Sequence, residues 1–381
     1  MEEAVEHASG PSLLPADRVQ MLDDVATPAV LVDLAVLERN IARMADAARR
    51  HGIRLRPHAK THKAPAIGRL QIAAGAVGLC VAKTSEAEVF ATAGFDDLFV
   101  AFPVVGADKG RRLLALADRI RLAVGVDSVE GARTLGDVFA AASRRLDVLL
   151  EVDTGLHRVG VAPETVPEVA RRLADLPGLR LRGLFTHAGH SYAGETPEAV
   201  AAVGADEGRT MARAAEAVRG LGIPIEEVSV GSTPSARHAL AVAGVTECRP
   251  GNYVFHDASQ VSLGTCGLED CALTILATVV SVPAPDRAVV DAGSKTLSSD
   301  PLRPRIGGHG FVLGRASRLS RLSEEHGVID VVPGESFRVG ERVRILPNHA
   351  CVVSNLHDRL LGVRDGRVET EIAVAARGRV Q

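Results

Sequence analysis

Lys60 stands in the run RPHAKTHK, residues 56 to 63, and a His-x-Cys pair, His349 and Cys351, stands near the other end of the chain. An amine that attacks an aldehyde must be a neutral nucleophile held on a rigid element in a partly dry site. Lys60 meets that demand by following a strand-like run, Ile53–Pro57, and the neighbouring His58, His62 and Lys63 supply positive charge that lowers an amine pKa. The same octapeptide also reads as a solvated basic loop. Imidazole and thiolate together suit zinc. Residues two apart on a strand share a face, so His349 and Cys351 can reach one ion, although an H-x-C triplet also arises by chance.

A phosphate needs backbone N–H groups near a helix N-terminus, and GSTPSA, residues 231 to 236, offers them. The strand-like EEVSV runs into Gly231, Ser232 and Thr233, and Pro234 is placed to open a helix. A second glycine turn, Arg249-Pro250-Gly251-Asn252-Tyr253, can close the cradle. An ordinary capped helix or turn is the alternative for either segment. An amine, a phosphate cradle and a soft-metal pair in one chain point to pyridoxal 5'-phosphate (PLP) chemistry assisted by a divalent metal.

The elements that must position these groups follow from the hydrophobic pattern. Short β-branched runs alternate with Ala-rich amphipathic stretches, the pattern of repeated βα units. The strand candidates are Ala29–Asp33, Ile53–Pro57, Val77–Ala82, Leu98–Phe102, Arg121–Val126, Val148–Val152, Leu181–Thr186 and Glu227–Val230. Eight such units predict an α/β fold, a (β/α)8 TIM barrel over 27–265 with catalytic groups at the C-terminal strand ends. GSTPSA then follows the eighth strand. From 266 to 381 the rhythm changes to strand-like runs without long helices between them, a β-rich second domain, and the segment 1–26 is expected to pack on it.

The 381 residues can bury a full core, packed by aliphatic side chains because Phe numbers 9, Tyr 2 and Trp 0. A net charge of −3 with no basic stripe argues against nucleic acid, and no run approaches the roughly 20 apolar residues of a membrane span. Five irregularly spaced cysteines argue against a disulfide framework and for a reduced, cytoplasmic setting. A small-molecule substrate is the expected partner. His51, His157, His238, His309 and His326 match no motif, and His256 and His357 are expected no closer than the surroundings of a site.

Taken in order, RPHAKTHK, DTGLHRVG (153 to 160), THAGHSY (186 to 192), GSTPS (231 to 235), RPGNYVFHD (249 to 257), DAGSK (291 to 295) and PNHAC with NLHD (347 to 358) resemble the metal-dependent D-serine dehydratase and D-threonine aldolase family. These are fold type III PLP enzymes with an alanine racemase-like barrel, and the resemblance spans nearly the whole chain. It implies that Lys60 bonds the cofactor aldehyde and that Arg158 lies near the phenolic oxygen. It further implies that His187 and Tyr192 line the ring and that Gly231, Ser232, Thr233, Gly251 and Asn252 hold the phosphate. His349 and Cys351 become the metal ligands, with zinc favoured and manganese or magnesium as other candidates. Where some members carry a tyrosine this chain has Phe185, which leaves Thr186, water or no partner for the pyridine nitrogen.

The resemblance implies a homodimeric lyase acting on a D-3-hydroxy amino acid, with D-serine dehydration to pyruvate and ammonia favoured because aldolases of the group tend to carry a carboxylate in place of Cys351. D-threonine aldolase and 3-hydroxyaspartate dehydratase are the alternatives. Racemisation would need a second base, usually a tyrosine of the β domain, and no Tyr follows Tyr253. A non-catalytic PLP-binding protein would have no use for the C-terminal β-rich domain.

Overall fold

The computed structural model describes residues 20–300 and 307–381, which fall into two compact units. One comprises Arg43–Lys60, Ala74–Gly251 and Gly378–Gln381. The other comprises the described part of Met1–Ala42 with Thr61–Ala73 and Asn252–Arg377.

The first unit is built on an eight-stranded sheet in which every neighbouring pair is parallel. Its strands, in spatial order, are Arg54–Leu55, Glu247–Cys248, Glu227–Val230, Leu179–Phe185, Leu146–Glu151, Arg121–Val126, Asp97–Val100 and Leu79–Val81. Beyond the two end strands, Val77 N donates to Leu55 O at 2.9 Å, Cys80 N donates to Pro57 O at 2.8 Å, and His58 and Cys80 form a parallel bridge. Helices such as Thr84–Thr92, Ala107–Ala117 and Val129–Ala141 connect the strands, as parallel pairing requires. Cys80, Phe99, Ala123, Leu149 and Phe185 pack into one cluster, with the Phe99 and Phe185 rings edge to face at 5.1 Å.

Two expectations about this sheet are corrected. Ala29–Asp33 is no part of it: the strand pairs antiparallel to Leu273–Ala284 and parallel to Arg359–Arg364 in the other unit. The remaining parallel strand is Glu247–Cys248, two residues long and ended by Arg249-Pro250, too short for any periodic signal. GSTPS therefore follows the seventh strand in chain order, not the eighth.

The second unit carries a ten-stranded sheet. Leu273–Ala284, Arg287–Val290, Gly327–Asp330, Arg318–Leu322, Gly310–Val312 and Arg342–Pro347 pair antiparallel in that order, and Arg342–Pro347 returns to pair with Leu273–Ala284. The result is an antiparallel barrel without free edges between these strands. Of the segment 1–26, residues 1–19 lie outside the described residues, while Gln20–Met21 pairs with Arg367–Ala373. Among the described residues, no helix is long and apolar enough to cross a membrane.

Candidate active site

Within the parallel unit the sequence-predicted groups lie just beyond C-terminal strand ends. Lys60 sits in the short turn Ala59–Thr61 after Arg54–Leu55, half-buried, and its own N–H donates to His58 Nδ1 at 3.3 Å. His187 follows Leu179–Phe185 and is held neutral, with a pKa well below the imidazole range. Burial is the main cause, and the charges of Lys60, Arg158 and Arg249 add to it, which places each of the three within electrostatic reach of His187.

Arg158 is exposed, on a turn wound around Asp153: one carboxylate oxygen accepts Gly155 N at 2.9 Å and His157 N at 3.0 Å, and the other meets His157 Nδ1 at 2.9 Å. Glu151 ends the strand Leu146–Glu151 and is 4 % exposed. Burial pushes its carboxyl up to about 7, against the pull of Arg158 and Arg249. Tyr192 is half-buried in the short helix Gly189–Ala193.

The loop 231–235 differs in detail from a simple amide cradle. Gly231 takes φ +107 and turns its N–H onto Glu207 Oε1 at 2.7 Å, while Ser232 N donates to Ser235 Oγ at 3.1 Å. Both amides are thus engaged within the protein, and the helix opens at Ala236 after a turn through Pro234. Ser232 and Thr233 are buried, and so is Gly251 in the turn beyond Glu247–Cys248. Arg249 heads the RPGNYVFHD run but was given no role in the sequence reading, because nothing in the run shows what its guanidinium meets. It lies over the Phe185 and Phe99 rings at 5.3 and 5.7 Å, donates to Ser229 Oγ at 2.8 Å and also hydrogen-bonds Thr186 O. Thr186 uses its hydroxyl proton on Val152 O at 2.6 Å, so it can offer a ligand only an acceptor.

In the other unit His349 and Cys351 come together, but not on a strand. His349 is the N-cap of the helix Ala350–Leu356 and Cys351 lies in that helix's first turn, where the two side chains hydrogen-bond. His349 Nδ1 faces Asp300 Oδ2 at 2.7 Å. Burial of His349 opposes its protonation, yet Cys351, Asp257 and Asp300 raise it to about 10. Burial likewise disfavours the Cys351 thiolate, and His349 and Thr61 outweigh that and lower it.

Thr61 Oγ1 lies 3.2 Å and Asn252 Nδ2 3.7 Å from the sulfur. Asp257, fully buried, ties these pieces together: its Oδ2 accepts Asn252 Nδ2 at 2.6 Å and Ala350 N at 3.0 Å, and its Oδ1 caps the helix Ala258–Ser262 through Gln260 N. Asn252, whose Nδ2 reaches the Cys351 sulfur, keeps its Oδ1 buried with no partner among the described residues. That donor set fits a soft or borderline divalent ion. Among the described residues no cluster of three or more His, Cys, Asp or Glu side chains could hold a metal, so His349 and Cys351 make an open pair rather than a closed structural site.

His62 does not supply the positive charge expected around Lys60. It is fully buried and lowered to about 4 by burial. Its Nδ1 accepts Ala64 N at 3.1 Å, which leaves Nε2 to donate to Gln71 Oε1 at 3.2 Å, and Gln71 Nε2 donates to Tyr253 OH at 3.1 Å. Asp257 was legible as part of RPGNYVFHD, whereas Glu151, Glu207 and Asp300 stand in no motif and are recognised only by what they touch.

Comparison with known proteins shows what the chain as a whole is similar to. The alanine racemase N-terminal domain matches residues 32–259 and the serine dehydratase domain matches residues 272–363. A D-threo-3-hydroxyaspartate dehydratase of Delftia sp. (strain HT23) is 39% identical over 345 residues, covering 85% of this chain and 90% of its own. A D-threonine aldolase of Arthrobacter sp is 37% identical over 369 residues, covering 96% of each. A D-serine dehydratase of Dictyostelium discoideum is 32% identical over 371 residues, covering 87% of this chain and 92% of its own. Among solved structures, a D-threonine aldolase from Filomicrobium marinum superposes with a TM-score of 0.87 at 36% identity, covering 96% of this chain and 99% of its own. A cysteine-to-alanine variant of D-threo-3-hydroxyaspartate dehydratase, described as the metal-free form, superposes with a TM-score of 0.86 at 36% identity, covering 93% of this chain and 98% of its own.

Proposed function

Because the chain belongs to the family that joins an alanine racemase N-terminal domain to a serine dehydratase domain, we propose that it is a PLP- and divalent-metal-dependent lyase acting on D-3-hydroxy amino acids. D-Serine dehydration to pyruvate and ammonia is the favoured reaction. The observation that carries the metal half is the His349–Cys351 pair, hydrogen-bonded to each other, with Asp300 on His349 and Asn252 Nδ2 within reach of the sulfur. A solved relative described in a metal-free form fits a family whose members take a metal. We read the parallel sheet as a closed (β/α)8 barrel, on the strength of the His58–Cys80 bridge and the Cys80–Pro57 bond beyond its end strands.

In this reading Lys60 would hold the cofactor through its aldehyde, and its Nζ would be the base placed to take the proton from the substrate Cα. PLP supplies an electron sink for the charge left on that carbon. Arg158 directs its charge to the phenolic oxygen. His187, kept neutral by burial and by three nearby cations, packs the ring without adding a fourth positive charge. Tyr192 lines the ring, and Gly231, Ser232, Thr233, Gly251 and Asn252 shape the phosphate pocket. A divalent ion held by His349 and Cys351, zinc before manganese or magnesium, supplies Lewis acidity toward the β-hydroxyl. That acidity would serve release of the β-hydroxyl, as elimination requires, or ionisation of the hydroxyl to a nearby base, as Cα–Cβ cleavage requires. The thiol favours the first outcome, while the similarity to D-threonine aldolase over 96% of both chains keeps the second as the alternative. Dehydration of 3-hydroxyaspartate is the third. We place the enzyme in the cytoplasm as a homodimer, since its five cysteines are all free and enzymes of this fold commonly pair.

The test is an assay of PLP- and zinc-loaded protein with D-serine, D-threonine and D-threo-3-hydroxyaspartate, scoring keto acid plus ammonia against glycine plus aldehyde. Keto acid and ammonia from D-serine, lost on chelation and in Cys351→Ala, is the expected result. Glycine and aldehyde would replace the dehydratase reading with the aldolase one.

A further inference from the structure

Glu207 is a buried carboxylate without a part in the chemistry above. It stands in the middle of the helix Pro197–Arg219, 1 % exposed. Its Oε1 accepts Gly231 N at 2.7 Å, its Oε2 accepts the Ser235 hydroxyl at 2.9 Å, and the Ala188 backbone adds a third hydrogen bond. Ala188 follows His187 in the loop after Leu179–Phe185, and Gly231 and Ser235 bound the loop after the adjacent strand Glu227–Val230. One carboxylate thus ties together the ends of two neighbouring strands.

The local sequence makes this reach feasible. Gly204 and Gly208, one helical turn apart, flank Glu207 in the chain. A Cβ on Gly204 would lie 2.7 Å from Ser235 O, and one on Gly208 would lie 2.7 Å from the Val242 side chain. The two glycines let the helix backbone approach so closely that a glutamate side chain spans the gap. Ser235 extends the tie, because its Oγ lies 3.0 Å from Ser232 Oγ, which in turn lies 3.0 Å from Ser191 Oγ. Burial raises the Glu207 pKa, opposed by the Gly231 and Ser235 bonds and by the Arg249 charge; Cys248 is the other titratable group that feels it. A carboxyl buried this deeply is costly unless its bonds are needed, and all three lead to loop ends.

We propose that Glu207 is a positioning residue that clamps the loop carrying His187 to the loop carrying Ser232 and Thr233 and thereby sets the pocket for a phosphorylated ligand. The clamp stands on the geometry alone, whereas the identity of the ligand as PLP rests on the function proposed above. Alanine at 207 strands two amides and a hydroxyl. Glutamine keeps an oxygen for Gly231 N and offers an N–H to Ser235 Oγ.

The experiment compares wild type, Glu207→Gln, Glu207→Ala and Ser235→Ala by two readouts. Hydrogen exchange on the protein without added ligand tests the clamp directly. Glu207→Ala should speed exchange in peptides covering 186–191 and 229–236 together, Ser235→Ala in 229–236 only, and Glu207→Gln in neither. PLP titration, followed by its absorbance, tests the consequence: Glu207→Ala, which loses all three bonds, should weaken binding by about tenfold or more, while Glu207→Gln stays within about threefold. Unchanged exchange in Glu207→Ala, exchange raised evenly over the chain, or no rescue by glutamine would overturn the proposal. If wild type binds no PLP, the cofactor reading falls while the exchange result still decides the clamp.

Discussion

Replacing Asp300 by alanine removes the acceptor that faces His349 Nδ1 at 2.7 Å. That bond fixes the ring's orientation and leaves Nε2 as the nitrogen available to a metal, so its loss frees the imidazole to rotate and lowers its basicity. Carboxylates in this position are typically worth about 10- to 100-fold in metal affinity. Here the His349 and Asp300 side chains are 37% and 49% exposed, so water can replace part of the lost bond. The lower end applies, about tenfold, which is about 1.4 kcal/mol. Asp300→Asn retains an acceptor oxygen but not the charge and should fall within about threefold of wild type.

The assay is competition for zinc between the protein and a chromophoric chelator at neutral pH, with Cys351→Ala and His349→Ala as the reference losses. Equal zinc affinity in Asp300→Ala and wild type, with both reference variants impaired, would refute the orienting role of Asp300 and the tautomer it imposes.

Three further outcomes follow from buried groups elsewhere. His62 is lowered to about 4 from 6.5, so between those values the unfolded chain binds more protons than the native one. Its stabilising contribution is complete above about pH 6.5 and is lost as pH falls through about 4, by up to about 3 kcal/mol; His62→Gln should flatten the pH dependence of urea unfolding in that window, and an unaltered slope would count against a neutral His62. Glu247 is fully buried, accepting Arg56 Nε at 2.8 Å and Ser229 Oγ at 2.7 Å. Glu247→Ala should cost about 3–5 kcal/mol in chemical denaturation because Arg56 is left buried with Asp97 as its remaining ion-pair partner, and a loss below about 1 kcal/mol would show that Arg56 finds water. Gly231→Ala would hold a side chain at φ +107 and bring its Cβ to 2.7 Å from Cys248 Sγ. A loss of about 1–3 kcal/mol with weakened PLP binding is expected, and wild-type stability would argue against the strained turn.

The parts of the fold that could be read from the chain are those set by local chemistry. Alternation of β-branched and Ala-rich runs marks strands and helices because side-chain sterics act over a few residues, and seven of the eight strand candidates do fall in the parallel sheet. Gly231 and Pro250-Gly251 announce turns for the same reason. Ala29–Asp33 was assigned to the wrong sheet because an apolar pentapeptide carries no record of its partners: those are Leu273–Ala284 and Arg359–Arg364, far along the chain. Glu247–Cys248 is a strand only because Arg54–Leu55 and Glu227–Val230 flank it.

The site divides in the same way. Residue types and spacing marked Lys60, the GSTPS loop and the His349–Cys351 pair as candidates, since an amine, a turn rich in hydroxyls and two soft ligands have their chemistry wherever they stand, and the family resemblance gave them their expected roles. The electrostatic state of each group was not in the chain order. His62 looked like a cation and is neutral because it is fully buried. His349 and Cys351 meet at a helix N-terminus rather than along a strand, oriented by Asp300 and Asp257, 49 and 93 residues from the positions they hold. Burial and hydrogen-bond partners are properties of the folded surroundings, and a carboxylate such as Glu207 acquires its role only when the backbone brings Gly231, Ser235 and Ala188 to it.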